Sequence, residues 1–170
     1  ALVMTLDAKR SITIYDGPEG EEKADRTFSY NSLGDRIKTT TVFSYDASMT
    51  TLLESRTYQG EVLNAPTVAT VLRSVTKYIG SEGEEKSDKT YTYNSSGTSI
   101  KTITEFTYDD NQEKLLSSSV YRAETNTGDI TTVARGIIRS MSEYAGEEAE
   151  EKIQRSYQYN SQGAAVKSTN

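Results

Sequence analysis

Histidine, cysteine and tryptophan are all absent from this chain of 170 residues. Histidine is the usual general base near neutral pH and the commonest transition-metal ligand, and cysteine supplies thiolate nucleophiles and zinc ligands. A Ser-His-Asp or Cys-His arrangement therefore cannot be assembled. We expect no catalytic residues and no enzymatic activity.

Carboxylates are the remaining groups with metal-binding chemistry, and they occur in three clusters, PEGEEK, SEGEEK and EEAEEK. Oxygen-rich clusters can bind calcium, but calcium loops usually place Asp and Asn at alternating positions, and here a lysine closes each cluster. We interpret the clusters as solvated loops with local ion pairs and expect no cofactor. Calcium is the alternative, and its candidate ligands are Glu21, Glu22, Glu84, Glu85, Glu150 and Glu151.

Asp109 and Asp110 are adjacent carboxylates, and pairs of carboxylates hydrolyse glycosidic bonds in many enzymes. Neighbouring residues on a strand point to opposite faces, so these two cannot flank one bond. Asp46 occupies the position equivalent to Asp109, which favours a role in a turn.

Charge and hydropathy exclude two classes of partner. The net charge is −6, and the basic residues are scattered among glutamates, so we expect no nucleic-acid binding. No apolar run approaches the roughly 18 residues of a membrane-spanning helix, so we expect no membrane span.

Internal repetition organises the whole sequence. Three copies begin at Arg10, Arg73 and Arg139, and these positions give periods of 63 and 66 residues. The three additional residues fall just before Arg139, and we expect them in a surface loop. The repeats are 10–72, 73–138 and a partial third repeat, 139–170, while residues 1–9 match the tail of a preceding repeat.

Each repeat alternates with period two, which is the pattern of a β-strand. Arg26–Tyr30 and Ile37–Tyr45 are predicted to form the arms of a hairpin, because Asn-x-x-Gly between them is typical of a type I turn. The fold class predicted is all-β, with antiparallel hairpins forming an elongated stacked or sandwich-like array. The structural turn residues are Asn31, Gly34, Asn94, Gly97, Asn160 and Gly163.

The Tyr30-Asn31…Gly34…Ile37 turn, followed by Phe43-Ser44-Tyr45-Asp46, recurs in the second repeat. This pattern resembles the tyrosine-aspartate (YD) repeats of RHS and teneurin-type cell-surface proteins. The resemblance implies a secreted protein in which β-hairpins are strung into a spiralling sheet. It also implies a role as a shell or an adhesive stalk.

We therefore expect a structural repeat protein at the cell surface or outside the cell, which builds a fibre or stalk by pairing the edges of β-sheets. The partners expected are further copies or further repeats. The alternative is an adhesin-type module that binds glycans. Asn94 begins a glycosylation sequon, and the candidates for pairing between subunits are Leu2, Val3, Met4 and Leu6.

Overall fold

A computed structural model describes residues 8–67, 69–111 and 113–169. These residues contain no helix, and so none that could cross a membrane. The all-β prediction is confirmed. The described strands are β1 (Ser11–Asp16), β2 (Lys23–Tyr30), β3 (Ile37–Tyr45), β4 (Leu52–Gln59), β5 (Leu72–Ile79), β6 (Lys86–Tyr93), β7 (Ile100–Tyr108), β8 (Leu115–Ala123), β9 (Arg135–Ala145), β10 (Lys152–Tyr159) and β11 (Ala165–Thr169).

The strands form one sheet in which spatial order equals sequence order. Every neighbouring pair is antiparallel, and the described strands lie in a single continuous sheet. Four strands make one repeat. We call them the first strand (β1, β5, β9), the second (β2, β6, β10), the third (β3, β7, β11) and the fourth (β4, β8).

The hairpin between the second and third strands has the predicted arms, although β2 begins three residues earlier than expected, at Lys23. The Gly34 amide donates to Asn31 O at 3.0 Å, and the Asn31 side-chain oxygen accepts from the Asp35 amide at 3.2 Å. The same amide-to-carbonyl bond joins Gly97 to Asn94 and Gly163 to Asn160, both at 3.1 Å. The short polar side chain thus replaces the strand ladder where the chain reverses.

Asp46 and Asp109 perform the same task between the third and fourth strands. Asp46 Oδ1 accepts the Thr50 amide at 2.8 Å, and Asp109 Oδ1 accepts the Glu113 amide at 2.8 Å. A hydrogen bond from the Ser48 hydroxyl, joined by backbone amides, lowers the pKa of Asp46. The adjacent carboxylates Asp109 and Asp110, which follow the third strand of the second repeat, are therefore part of a turn.

One face of the sheet is covered by the connections between fourth and first strands. In the second repeat the buried residues Val75, Tyr93, Ile100 and Ile103 form a core, and Ile130 and Val133 of the β8–β9 connection pack against it. Tyr93 also donates its hydroxyl to Gly128 O at 2.7 Å. A single sheet thus obtains an apolar core by folding its own connection back over one face.

The first repeat uses polar contacts for the same purpose. Thr40, the equivalent of Ile103, is fully buried. Its hydroxyl donates to Gly60 O at 2.7 Å and accepts the Val62 amide at 3.1 Å. Both hydrogen bonds hold the β4–β5 connection on the sheet, and they satisfy groups that burial would otherwise leave unpaired.

The opposite face carries rows of small hydroxyl side chains. Cross-strand partners share a face, and the hydroxyl oxygens of Thr13 and Thr27 lie 2.8 Å apart. Pairs of this type contribute roughly 0.2–1 kcal/mol each and keep the face polar without a second sheet. The longest row consists of Thr13, Thr27, Thr41, Thr57, Ser74, Thr92 and Thr102.

The three additional residues before Arg139 are not in a longer loop. β9 has 11 residues where β5 has 8, and β8 has 9 where β4 has 8. The connection itself is one residue shorter, spanning 124–134 instead of 60–71. The insertion extends the hairpin arms because their added residues find backbone partners, as in the pair Ala123 with Arg135.

Gly97 and Gly83 provide a matched test of the turn. Their φ angles are +73° and +80°, but a Cβ on Gly97 would lie 2.7 Å from the Leu72 amide nitrogen, whereas Gly83 has open space around it. We expect Gly83→Ala to lower the free energy of unfolding by about 1 kcal/mol through backbone strain. Gly97→Ala should lower the free energy of unfolding by roughly 1–3 kcal/mol more, because the backbone at the start of β5 must move. If urea denaturation gave the same loss of unfolding free energy for both variants, the packing of the Gly97 turn against the start of β5 would be contradicted.

Candidate assembly interface

In the second and third repeats, the last glutamate of the acidic loop binds the fourth strand that precedes the loop's hairpin in the sheet. Glu85 Oε1 accepts the amide of Leu52, the first residue of β4, at 2.9 Å. Glu151 Oε1 accepts the amide of Leu115, the first residue of β8, at 3.0 Å. The Leu115 amide lowers the pKa of Glu151, as a hydrogen bond to the charged form of a carboxylate does. Each loop thereby fixes the start of a fourth strand.

The first glutamate of the shared loop pattern contacts the preceding repeat. Lys23 Nζ lies 2.5 Å from a carboxylate oxygen of Glu82, and Lys86 Nζ lies 2.6 Å from one of Glu148. The hydrogen bond from Glu82 raises the pKa of Lys23. Exposed ion pairs of this kind contribute little individually, yet they recur at the same position between successive repeats.

The contacts of these loops show what the candidate calcium ligands do in the structure. Glu85 and Glu151 have an oxygen committed to a strand amide, and Glu22 is their equivalent in the first repeat. Backbone amides of Glu21, Glu84 and Glu150 close the tight turns of their loops. Within the described ranges, no three carboxylates gather in a group that could hold a metal ion.

Tyrosines join the first strand to the fourth strand beside it. The hydroxyl oxygens of Tyr78 and Ser55 lie 3.0 Å apart, and those of Tyr144 and Ser118 lie 3.1 Å apart. The two pairs occupy equivalent positions in successive repeats. A fourth strand is thus recognised twice, by a glutamate at its first amide and by a tyrosine at its fourth residue.

A row of charges crosses the sheet beside the core. Glu54 of β4 lies opposite Lys77 of β5, and Lys89 of β6 lies opposite Glu105 of β7. Their nitrogen–oxygen distances are 3.0 and 3.2 Å. Burial on its own would raise the pKa of Glu54, but hydrogen bonds from Arg56 and Lys77 hold it below its ordinary value.

The two ends of the sheet are open among the described residues. β1 pairs only with β2, and β11 pairs only with β10. Ile12 is 40 % exposed, whereas its equivalent in the second repeat, Val75, is fully buried. Tyr15 is 62 % exposed, and none of the described residues is a serine partner for it of the kind that Tyr78 and Tyr144 have. The edge of β1 therefore has the residues of an interior first strand without its neighbour.

The remaining residues predicted from the sequence are the sequon asparagine and the candidates for pairing between subunits. The Asn94 side chain bonds within its own turn, with Nδ2 3.3 Å from the Thr98 hydroxyl, and its glycosylation stays a prediction. The pairing candidates lie outside the described residues, and they are Leu2, Val3, Met4 and Leu6. Comparison of the chain with family models, curated proteins and solved structures gave no match.

Sequence reasoning missed the functional division within the acidic loops. Glutamate recurs at three loop positions in all three repeats, and the sets are Glu19, Glu82 and Glu148, then Glu21, Glu84 and Glu150, then Glu22, Glu85 and Glu151. Recurrence alone does not separate the glutamates that bind an amide or a lysine of another strand from the middle glutamate, whose carboxylate makes no such contact in the third repeat, because the partners lie far away in the chain.

Glu151 should make the stability of the protein depend measurably on pH in the acidic range. Its folded-state pKa is lowered, so its contribution to stability is present above the ordinary glutamate pKa and is lost as pH falls through the lowered value. Between roughly pH 5 and 3, Glu151→Gln should reduce the slope of unfolding free energy against pH in urea denaturation. Glu150→Gln is the matched control, because the Glu150 carboxylate accepts no hydrogen bond from the described residues. Identical slopes for both variants would contradict the role assigned to Glu151.

Proposed function

We propose that this chain is a structural repeat protein, a subunit or segment of an extracellular fibre or surface stalk that assembles through pairing of sheet edges. The observation that carries the proposal is the open sheet with sequential strand order. Each strand contacts its neighbours in sequence, so an added strand extends the array without rearranging it. The extracellular location is supported by the resemblance to YD repeats.

The charges at the two ends of the array are complementary. Glu19 in the first acidic loop is the equivalent of Glu82 and Glu148, which form ion pairs with lysines of the preceding repeats. Lys152 in the third repeat is the equivalent of Lys23 and Lys86, the lysines that form these ion pairs with the following repeat. An array continued past either end would therefore form the same ion pair that already joins its interior repeats.

An edge that pairs freely is a hazard for a protein that acts as a monomer. Natural sheets usually protect their edges with lysine, proline or bulges that turn the strand away. The exposed side chains of β1 include Ile12, Ile14 and Tyr15, and the strand contains no lysine or proline. The register of β1 shifts between Ile14 and Tyr15, but β5 has the same shift between Lys77 and Tyr78 and is still paired on both sides. These features favour an edge that is used for pairing.

The binding-module alternative would use tyrosines as platforms for glycans. Tyr45 donates its hydroxyl to Ala24 O at 3.0 Å, and Tyr108 donates to Ser87 O at 2.9 Å. Burial raises the pKa of both hydroxyls. These two tyrosines therefore have partners within the sheet. Among the described residues Tyr15 is the one strongly exposed aromatic side chain, so no cluster of exposed rings favours the alternative.

Sedimentation velocity and negative-stain microscopy over a concentration series test the proposal. The unaltered chain should form assemblies that lengthen as its concentration rises. Ile12→Lys should weaken assembly by at least about tenfold, because a lysine charge at this position would be buried by the added strand.

Leu116→Lys is the matched control, since Leu116 is 46 % exposed and lies on β8, which pairs with β7 on one side and with β9 on the other. This variant should assemble like the unaltered chain. Monomers alone at the highest concentration of the unaltered chain would contradict the proposed function.

A further inference from the structure

The open edge of β1 has the features that bind a fourth strand elsewhere in the sheet. In both interior repeats, the first strand and its acidic loop contact the fourth strand through one glutamate and one tyrosine. The glutamates are Glu85 and Glu151, and the tyrosines are Tyr78 and Tyr144. In the first repeat their equivalents are Glu22 and Tyr15, and neither has a fourth strand beside it among the described residues.

The glutamate at this edge is already oriented. Glu22 Oε2 accepts the Gly20 amide at 3.0 Å, as Glu85 Oε2 accepts the Gly83 amide at 2.9 Å. In Glu85 this bond leaves Oε1 directed at the Leu52 amide. Glu22 Oε1 accepts no hydrogen bond from the described residues, so the oxygen that binds a strand amide in the interior repeats is free here.

The direction of the strands determines what can fill the edge. β3 and β5 both run antiparallel to β4, so third and first strands are parallel to each other. Direct pairing of the β11 edge with the β1 edge of another array that continues the sheet with the same face up would therefore be parallel. One fourth strand between them restores the antiparallel order of the whole sheet.

We propose that Ile12, Tyr15 and Glu22 form a selective binding site, the β1 site, for an extended polypeptide of the fourth-strand type, Leu-Leu-x-Ser. This inference rests on the proposed function and deepens it by naming the partner. In the bound state the first amide of the partner donates to Glu22, its serine bonds to Tyr15, and its fifth residue lies opposite Ile12, as Arg56 lies opposite Val75.

The two fourth strands in the chain differ in how well they suit this site. Residue Glu54 of β4 lies opposite Lys77, and Ser117 of β8 lies opposite Glu143. The equivalent position in β1 is Ile14, which offers no charge. A partner with the β8 sequence suits the β1 site better, because the β4 sequence would place a carboxylate opposite isoleucine.

A fluorescent peptide with the sequence of residues 115–123 tests the inference against the full chain. Fluorescence anisotropy measures affinity, and hydrogen–deuterium exchange of Ser11–Asp16 reports binding at β1 separately from the β11 edge. Tyr15→Phe should weaken binding at β1 by about threefold to tenfold, and Glu22→Gln by at least about tenfold. The peptide of residues 52–59 should bind more weakly than the β8 peptide.

Tyr78→Phe and Glu85→Gln are the matched controls, because these residues contact β4 of the chain itself, and they should leave peptide binding at β1 unchanged. A peptide carrying Ser118→Ala should lose the same factor as Tyr15→Phe, and the two changes together should lose no more than either alone.

Three outcomes would overturn the inference, and they bear differently on the proposed function. The first outcome is that the peptide protects β1 from exchange equally in all variants, and the second is that it gives no protection in a chain that still assembles. Either result would exclude the selective site but would not contradict edge pairing. Absence of both peptide binding and assembly would overturn the inference and the proposed function together.

Discussion

Backbone hydrogen bonding between neighbouring strands is the interaction on which the rest of this structure depends. In the part of the chain that the structure describes, only one face of the sheet has an apolar cover, and the buried core of the second repeat is small. The other face is a polar surface of threonine and serine rows. Cohesion therefore comes mainly from the lateral ladder and from the side-chain contacts that follow it, so each strand is stabilised by its neighbours.

The side-chain contacts between repeats reinforce that lateral order. An acidic loop binds the first amide of the fourth strand before it, and its first glutamate reaches a lysine of the preceding repeat. These contacts link strands that the short turns do not connect. A loop that composition alone would assign to the solvent thus has a defined role in joining one repeat to the next.

The sequence predicts the local parts of this architecture well. Period-two alternation and Asn-x-x-Gly turns specify the hairpins, because both depend on residues close together in the chain. The contact of Glu85 with Leu52 spans 33 residues, and that of Lys23 with Glu82 spans 59. Such contacts follow from strand order, which alternation does not specify. The expectation that the insertion before Arg139 lengthens a loop is wrong because the added residues pair across strands, as Ala123 does with Arg135.

The central claim is that the edge of β1 is a pairing surface with the character of an interior first strand. Hydrogen–deuterium exchange of the unaltered chain, at dilute and at high concentration, tests it most directly. In dilute solution Ser11–Asp16 should exchange faster than its interior equivalent Leu72–Ile79, and at high concentration the difference should diminish. A β1 that exchanges at the same rate at both concentrations, while the chain remains folded, would contradict the account.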